Sequence, residues 1–393
     1  MPVVSPGDKN LPLAALLIAG DTPAPRVLGA DAVEFQLRRA RDAGAGHAVI
    51  FVERVTSSLL ATVDRLRSEG LSVDIARTVA DAAELIHPDE AVLMLTPDVV
   101  VLPERLAAVA ASDESILLCV RDEPANERFE LIDPTARWTG FARIDGGLLR
   151  RTAAMVGDWD LGSTLLRRAV QDGAARMTLT PEEAGAELIV IDTVSAAQLA
   201  GRRLVAASQL ENAGLARRWL IAPAARWVAR LGGELGIDAQ LVTLAGFGLF
   251  GIATVCALFG WIVASLIFLL GGQMCDAAGS VGTQAGMSTR RWERLRSPVG
   301  ATAAMIVVLA MGITLTLRNA QWGCIVLALV IISASWLAAP FARGDTGLAR
   351  WRSDASGHAV IGVMGFGFGV PVIALALSAL HAALSLGWAV RKP

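Results

Sequence analysis

The sequence predicts a doubly wound α/β domain over residues 1–210 and an all-α, six-helix transmembrane domain over residues 237–393. Hydrophobic residues make up 54% of the chain and the mean hydropathy is +0.52. A soluble protein of 393 residues cannot bury that much apolar surface. Charged and apolar residues are mixed up to Ala207, whereas long apolar stretches with short arginine-rich breaks follow Leu241. Residues 211–236 are predicted to form an interfacial amphipathic segment.

Short apolar runs alternate with amphipathic ones in the first domain. The predicted strands are Ala14–Ile18, Ala48–Val52, Leu71–Ile75, Ala91–Leu95, Ser115–Val120, Trp138–Ile144 and Glu187–Ile191. The predicted helices are Asp31–Asp42, Ser57–Glu69, Val79–Ile86, Pro103–Ala111, Gly146–Val156, Leu161–Gln171 and Ser195–Ala207. Apolar strands separated by helices are typical of a parallel sheet covered on both faces. In the first helix, Ala32, Val33, Phe35 and Leu37 form the apolar side, and we expect solvent contact for Arg38, Arg39 and Arg41.

The ends of the predicted strands hold the candidate binding residues, because ligands of such sheets bind beyond the carboxyl ends of the strands. Gly20 follows the first strand in a short loop, and Arg26 is the only cation near it. Asp98 follows the fourth strand and Asp192 follows the last.

Residues 11–205 resemble the sugar-nucleotidyltransferase family. Leu16-Leu17-Ile18-Ala19-Gly20 is similar to the family's opening strand and glycine turn, and Thr139-Gly140-Phe141 is similar to its central strand. Gly29, Glu34–Arg39 and Ala43-Gly44 resemble its first helix and the turns around it. The resemblance implies a nucleotide site formed by Gly20, Arg26, Asp98 and Asp192, with Mg²⁺ or Mn²⁺ on the two aspartates.

The glycine loop departs from the family pattern. Pro23 and Pro25 lie in it and supply no N–H group to a phosphate. The family's lysine is also missing, since the chain contains only Lys9 and Lys392. We therefore do not expect nucleotidyl transfer. The alternative interpretation of the two aspartates is that they are exposed acids in turns, a position that Asp favours.

The segment before the first apolar stretch combines indoles with cations. Trp219 and Trp227 accompany four arginines, Arg217, Arg218, Arg226 and Arg230. Pro223 predicts a helix end or kink near Ile221. Two short amphipathic pieces would suit the lipid headgroup layer. The alternative is a linker packed on the first domain.

Six membrane spans are the preferred interpretation of the remaining sequence, with four or five as alternatives. Leu241–Cys275 is long enough for two spans separated at Phe259-Gly260-Trp261, and His358–Val390 for two separated near Gly369-Val370-Pro371. Pro298–Leu317 and Gln321–Ala339 supply one each. The connections on one side hold Arg290, Arg291, Arg294, Arg296, Arg343, Arg350, Arg352, Arg391 and Lys392, and the opposite connections hold only Arg318. The positive-inside rule predicts a multi-pass protein of a bacterial-type inner membrane with both termini in the cytoplasm.

From residue 212 onward the chain resembles the CDP-alcohol phosphotransferase family. Ile237–Leu244 and Ser297-Pro298-Val299-Gly300 are similar to the beginnings of the family's first and third spans. Between them the family carries D-x-x-D-G-x-x-A-R, a spacer and G-x-x-x-D-x-x-x-D. Its four carboxylates hold two divalent ions on the CDP pyrophosphate, because paired hard cations need oxygen ligands.

Only the first of these carboxylates is present, as Asp276. The other three positions carry Gly279, Ala304 and Val308. Asp276 is therefore the candidate catalytic and metal-binding residue, for one Mg²⁺ or Mn²⁺ ion or a headgroup, and its alternative role is that of an acid at a helix end. Three arginines, Arg343, Arg350 and Arg352, could bind a lipid phosphate or serve orientation only.

The two resemblances imply a membrane protein of phospholipid or polyol-phosphate metabolism that is catalytically impaired. It would bind a ligand or support an active enzyme. The alternative is an active phosphotransferase whose metal site combines Asp276 with Glu293 or Asp345. The expected partners are membrane lipids, a CDP-alcohol or other nucleotide, and a second copy of the chain, since family members are often dimers. A net charge of −2 gives no reason to expect nucleic acid.

Overall fold

The computed structural model describes residues 12–20, 24–155, 160–208, 214–287, 290–319, 322–338 and 353–390; side chains at 290–299, 319 and 389 are not described. The chain divides into two compact units, Met1–Ala207 and Ser208–Pro393. Each unit is built from a different class of secondary structure, and each is described by itself.

The first unit is an α/β domain. Its strands are β1 (Leu13–Ile18), β2 (His47–Phe51), β3 (Ser72–Ala76), β4 (Ala91–Leu95), β5 (Val99–Val101), β6 (Ile116–Arg121), β7 (Glu130–Asp133), β8 (Ala136–Asp145), β9 (Ala175–Leu179) and β10 (Leu188–Val190). Its helices are α1 (Ala32–Asp42), α2 (Ser57–Ser68), α3 (Val79–Leu85), α4 (Pro103–Ala110), α5 (Gly146–Ala153), α6 (Leu161–Gln171), α7 (Pro181–Glu187) and α8 (Val194–Ala207). All the predicted elements of this unit are present, with ends that differ by at most three residues.

The main sheet is mixed, so the expectation of a parallel sheet is wrong. The strand order is β3-β2-β1-β4-β8-β6-β9, with β7 paired to β8. The first four strands are parallel, but β8 runs antiparallel to both β4 and β6. The connection from β6 contains a short 3₁₀ turn (Pro124–Asn126) and β7, and the chain reverses at the short turn between β7 and β8, which pair antiparallel. A short turn joins antiparallel strands, whereas parallel neighbours need a longer crossover.

Both faces of the main sheet are covered. Successive residues of β1 belong to different cores: Leu17 packs in one apolar cluster with Leu37 of α1, and Leu16 packs in the other with Leu165 of α6. This alternation follows from the two-residue period of a strand. The sheet therefore holds its strand ends rigidly between two layers of helices.

The second unit is helical. A π-helical segment (Arg217–Ile221) leads into α9 (Ala222–Glu234), which is followed by α10 (Ala239–Leu258), α11 (Ile262–Gln284), α12 (Arg290–Asn319), α13 (Gly323–Ala338), α14 (Ala355–Gly367) and α15 (Pro371–Val390). Among the residues that the structure describes, four helical stretches are long and apolar enough to cross a membrane, at residues 239–258, 262–284, 300–318 and 371–388. These features are compatible with a membrane protein. α13 and α14 are shorter apolar helices, and a count of six spans stays a prediction.

The predicted end or kink near Ile221 takes the form of a change of helix type: the π-helical segment ends at Ile221 and α9 begins at Ala222, with Pro223 in its first turn. The backbone remains helical through Ile221 and Ala222, and the N–H of Ala222 donates to the carbonyl of Arg217, five residues earlier. A π-turn gives the proline ring room against the preceding turn. The buried residues of α9 are small (Ala222, Ala225, Ala229, Gly232 and Gly233), while Trp219 and Trp227 are exposed.

Candidate functional site

The structure brings Asp98 and Asp192 together. Strands β5 and β10 pair antiparallel with Val99 opposite Val190. The N–H of Ile191 donates to the carbonyl of Asp98 at 2.7 Å, which extends the pairing by one residue. The two aspartates therefore sit at the same end of this small sheet, beyond the carboxyl end of β4, and both side chains are exposed.

The turn that carries Asp98 is attached to α1 by buried polar side chains. The amide of Gln36 donates to the carbonyl of Thr96 at 3.2 Å and also to that of Val99. One helical turn further on, Arg39 donates to the carbonyl of Val101. These contacts fix β5 against α1 on both sides of Asp98.

Burial of Arg38 and Arg39 contradicts the expectation that they face solvent, since their exposed fractions are 5% and 4%. Arg38 pairs with Glu34 at 2.7 Å and with Glu69, so its charge is neutralised by two carboxylates. Arg39 lies over the ring of Phe35. Its burial lowers the pKa of its guanidinium to about 10, which leaves it protonated at neutral pH. Glu34 and Phe35 are neighbours on the same helix, but Glu69 and Val101 lie 31 and 62 positions away, where the pattern of one helix cannot reveal them.

Arg128 is a site residue that the sequence analysis did not identify. Its guanidinium pairs with the carboxylate of Asp192 at 3.0 Å, and this hydrogen bond lowers the pKa of Asp192. The contact joins residues 64 positions apart, so no local motif announces it. Arg128 places a positive charge at the end of the sheet where the sequence lacks the family's lysine.

Gly140 allows β8 to pass close to the turn before Asp98. Its φ is +96°, and a Cβ at this position would lie 2.3 Å from Oγ1 of Thr96. Any other residue would be strained in conformation and would also collide with Thr96. The Thr139-Gly140-Phe141 motif thus has a packing role directly beneath Asp98.

Gly20 and Arg26 lie in the segment after β1. Gly20 is exposed and has open space at its Cβ position. Since β1 and β4 are parallel neighbours, Gly20 follows the same edge of the sheet from which Asp98 extends. Arg26 is exposed and pairs with Asp31 at 2.9 Å. Residues 21–23 of the predicted glycine loop lie outside the described residues.

The residues around Asp98 fit one divalent cation shared with a phosphate. Two aspartates follow each other closely at one end of the β5 and β10 pair, and Mg²⁺ is commonly held by one or two carboxylates together with waters and substrate phosphates. Within the described residues, no group of three or more His, Cys, Asp or Glu side chains could hold a metal ion. This donor set therefore fits a hydrated ion and not a cage made entirely of protein ligands.

Asp276 of the helical unit is buried beside a cation. It lies on α11 with 9% exposure, and its carboxylate pairs with Arg217 at 3.4 Å. A Cβ on Gly300 of α12 would lie 3.0 Å from Oδ1 of Asp276, so this glycine lets α12 approach the carboxylate closely. The described residues bring no second and third metal-ligating side chain to Asp276. They do not fit the pair of metal ions that the resemblance implies.

A polar cluster lies near this position, on α11, α14 and the segment before α14. Ser356 donates to Gln273 at 3.3 Å, one turn before Asp276 on α11. His358 and Ser353 share a hydrogen bond of 2.7 Å. The carboxylate of Asp354 accepts from the N–H of Gly357 at 2.7 Å and from that of Gly214 at 3.0 Å. The carboxylate of Asp354 thus caps the start of α14 and also binds the backbone just before the π-helical segment.

The predicted phosphate-binding arginines Arg343, Arg350 and Arg352 lie outside the described residues, and so does Asp345. Glu293 lies on α12, but its side chain is among those not described. The two alternative metal ligands therefore stay predictions.

Two solved structures are similar to this chain. The inositol-1-phosphate CTP transferase from T. maritima matches with 14% identity and a TM-score of 0.34, over 43% of this chain and 85% of that one. A putative glucose-1-phosphate thymidylyltransferase from Bacillus anthracis, solved in complex with a sucrose, matches with 10% identity and a TM-score of 0.36, over 48% and 94%. No protein-family profile matches the sequence, and no curated protein matches it.

Proposed function

We propose that this chain is an integral membrane protein of phospholipid or polyol-phosphate metabolism that binds a nucleotide and has little or no transferase activity. Its α/β domain binds the nucleotide phosphates with one Mg²⁺ or Mn²⁺ ion at Asp98 and Asp192. Its helical domain has the framework of a CDP-alcohol phosphotransferase but lacks the two-metal site. The chain acts through the bound ligand or as the partner of an active enzyme.

The placement of Asp98 and Asp192 at one end of the β5 and β10 pair carries the nucleotide part of the proposal. Two separate strand ends converge there through a backbone hydrogen bond, and Arg128 adds a cation that can approach a phosphate. Exposed carboxylates that only terminate turns would not require this convergence. Gly20, Arg26 and the open edge after β1 provide the adjoining surface for the rest of the nucleotide.

The environment of Asp276 supports the proposed lack of transfer activity. A single carboxylate that is already paired with Arg217 cannot neutralise two divalent ions at a pyrophosphate. The pair can instead present Arg217 to one phosphate group of a headgroup while Asp276 holds the guanidinium in place. This arrangement supports binding and gives no activated nucleophile or paired metal.

The test uses the full chain in detergent with Mg²⁺ and a panel of nucleotides and CDP-alcohols. Binding is measured by calorimetry and turnover by release of CMP. We expect binding without turnover, and at least tenfold weaker binding in Asp98→Asn and Asp192→Asn. Asp89→Asn is the matched control, since Asp89 is an exposed acid in a turn of the same domain.

Two outcomes would contradict the proposal in different ways. Binding that Asp98→Asn and Asp192→Asn leave unchanged would show that the two aspartates are turn residues only. CMP release that Asp276→Asn abolishes would instead favour the active phosphotransferase with a non-standard metal site.

A further inference from the structure

The turn that carries Asp98 owes its geometry to one side chain of α1. Within Thr96-Pro97-Asp98-Val99, the carbonyls of Thr96 and Val99 both accept from the amide of Gln36. The carbonyl of Asp98, which lies between these two in the sequence, accepts from the N–H of Ile191 after the partner strand. Gln36 therefore holds the backbone two residues before and one residue after the aspartate.

Gln36 is an unusual choice for this position if stability is the only requirement. It has no exposed surface, and it lies on the face of α1 that packs on the sheet. Its Oε1 has no hydrogen-bond partner in the described part of the chain. Burying an unsatisfied polar atom costs free energy, and an apolar side chain would avoid that cost. The benefit of Gln36 is the position that it gives to the turn.

Arg39 reinforces the same contact from the next turn of α1. It is 4% exposed and donates to the carbonyl of Val101, at the far end of β5. A short strand held by polar side chains at both ends cannot slide along α1. Its partner β10 ends two residues before Asp192, so the backbone that leads to Asp192 is attached to α1 through β5 as well.

We propose that Gln36 is a positioning residue for Asp98, which it holds at the end of the β5 and β10 pair where Asp192 also lies, for binding of one divalent cation. The inference rests on the cation site of the proposed function. Residues that orient a metal-binding carboxylate from behind contribute to affinity without touching the ion, and their loss commonly weakens metal binding by about 10- to 100-fold.

The experiment measures Mn²⁺ binding to the full chain in detergent by electron paramagnetic resonance. The fraction of binding that Asp98→Asn removes defines the site. Gln36→Met keeps a similar side-chain length and loses both donors, and we expect it to weaken that fraction by about tenfold. Gln36→Glu keeps the size and an oxygen but also lacks the N–H groups, so we expect a comparable loss.

A matched control separates positioning from general destabilisation. Leu165→Ala removes core packing on the other face of the sheet, away from α1. At a temperature where every variant is folded, we expect Leu165→Ala to bind Mn²⁺ with wild-type affinity and an unchanged spectrum. Wild-type affinity in Gln36→Met, or an equal loss in Leu165→Ala, would overturn the inference alone. A different result is that Asp98→Asn leaves the Mn²⁺ binding of the protein unchanged. That result would overturn the cation site of the proposed function and this inference together.

Discussion

At the level of single residues, the proposed cation site would place Arg128 and a divalent cation in competition for the carboxylate of Asp192. The guanidinium of Arg128 lies 3.0 Å from Asp192, and about half of each side chain is exposed. An exposed ion pair of this kind is weak and can exchange with a competing cation. Arg128 therefore balances the charge of Asp192, and under the proposed function it would turn to a phosphate once the ion is bound.

This competition predicts that Arg128→Gln binds Mn²⁺ about threefold to tenfold more tightly than wild-type protein, because the rival cation is gone. Arg151→Gln is the matched control, since it removes one positive charge and a similar exposed pair with Asp172 elsewhere in the domain. Paramagnetic resonance titrations of the three proteins measure the effect. Equal affinities in Arg128→Gln and Arg151→Gln would show that the gain comes from net charge alone.

The same pair predicts a pH dependence. Arg128 lowers the pKa of Asp192 below its usual value, so the stabilisation is complete above the unfolded-state pKa of about 4 and is lost as the pH falls through the lower, folded-state pKa. Wild-type protein and Arg128→Gln should therefore differ slightly in urea midpoint at pH 7 and converge in acid. Pulse proteolysis of the α/β domain across a pH series measures both midpoints. A constant difference down to the lowest pH would contradict the assignment.

Gly140 supports a prediction about steric limits, where the earlier ones concern charge. Gly140→Ala places a Cβ 2.3 Å from Thr96 Oγ1 at a φ of +96°, and we expect a loss of about 1–3 kcal/mol of stability. Adding Thr96→Ala should recover the share of the lost free energy of unfolding that comes from the collision. The share that comes from the unfavourable φ should remain. Urea denaturation followed by proteolysis measures the cycle. Additive losses in the double variant would rule out the close contact.

At the level of secondary-structure elements, Arg318 connects two helical hairpins. It lies at the end of α12 and donates to the carbonyls of Phe259 at 2.9 Å and Gly260 at 3.1 Å, in the turn between α10 and α11. The last carbonyls of a helix have no partner within the helix. Arg318 thus supplies donors to a turn that would otherwise depend on solvent or headgroups.

This contact predicts that Arg318→Met destabilises the helical unit by about 1–3 kcal/mol, because charged hydrogen bonds to two carbonyls are lost. Arg318→Lys should recover less than half, since one ammonium cannot reproduce the fork of the guanidinium. Thermal unfolding in detergent measures both variants. Full recovery in Arg318→Lys would mean that only the charge matters at this turn.

The elements that the sequence predicted well are those whose signal is local. The helices of the α/β domain and the break at Phe259-Gly260-Trp261 follow from periodicity and turn residues. Three strands were missed: β5 has only three residues, and β7 and β9 are short or largely exposed and carry charged residues. α7 was also missed, although Thr180 and Glu183 form a capping box that the sequence displays. The mixed sheet could not be anticipated, since strand direction depends on which strands become neighbours.

The same distinction applies to the candidate site. Asp98 and Asp192 could be selected because each follows a predicted strand. Gln36, Arg39 and Arg128 could not, because their contacts cross about 60 residues of sequence. A polar residue on an otherwise apolar helix face, as at Gln36, was the only available signal. The role of such a polar side chain depends on which backbone carbonyls it contacts in the folded chain.

At the level of the whole molecule, the charge distribution gives a membrane orientation that can be tested. Arginines are concentrated in alternate connections of the helical unit, and Arg318 is the single exception on the other side. Its hydrogen bonds to Phe259 and Gly260 give this arginine a structural reason to be there. The exception therefore does not weaken the positive-inside prediction, which places the α/β domain in the cytoplasm.

Labelling of single cysteines with a membrane-impermeant maleimide tests this orientation. All four native cysteines are first replaced by alanine. Trp261→Cys then reports on the turn between α10 and α11, where Trp261 is 67% exposed, and Asp89→Cys reports on an exposed turn of the α/β domain. In bacterial spheroplasts we expect labelling at Trp261→Cys and protection at Asp89→Cys, with both labelled after permeabilisation. The reverse pattern would invert the orientation. Labelling of both sites before permeabilisation would place the turn and the α/β domain on the same side, which is incompatible with an α10 and α11 hairpin that begins and ends in the cytoplasm.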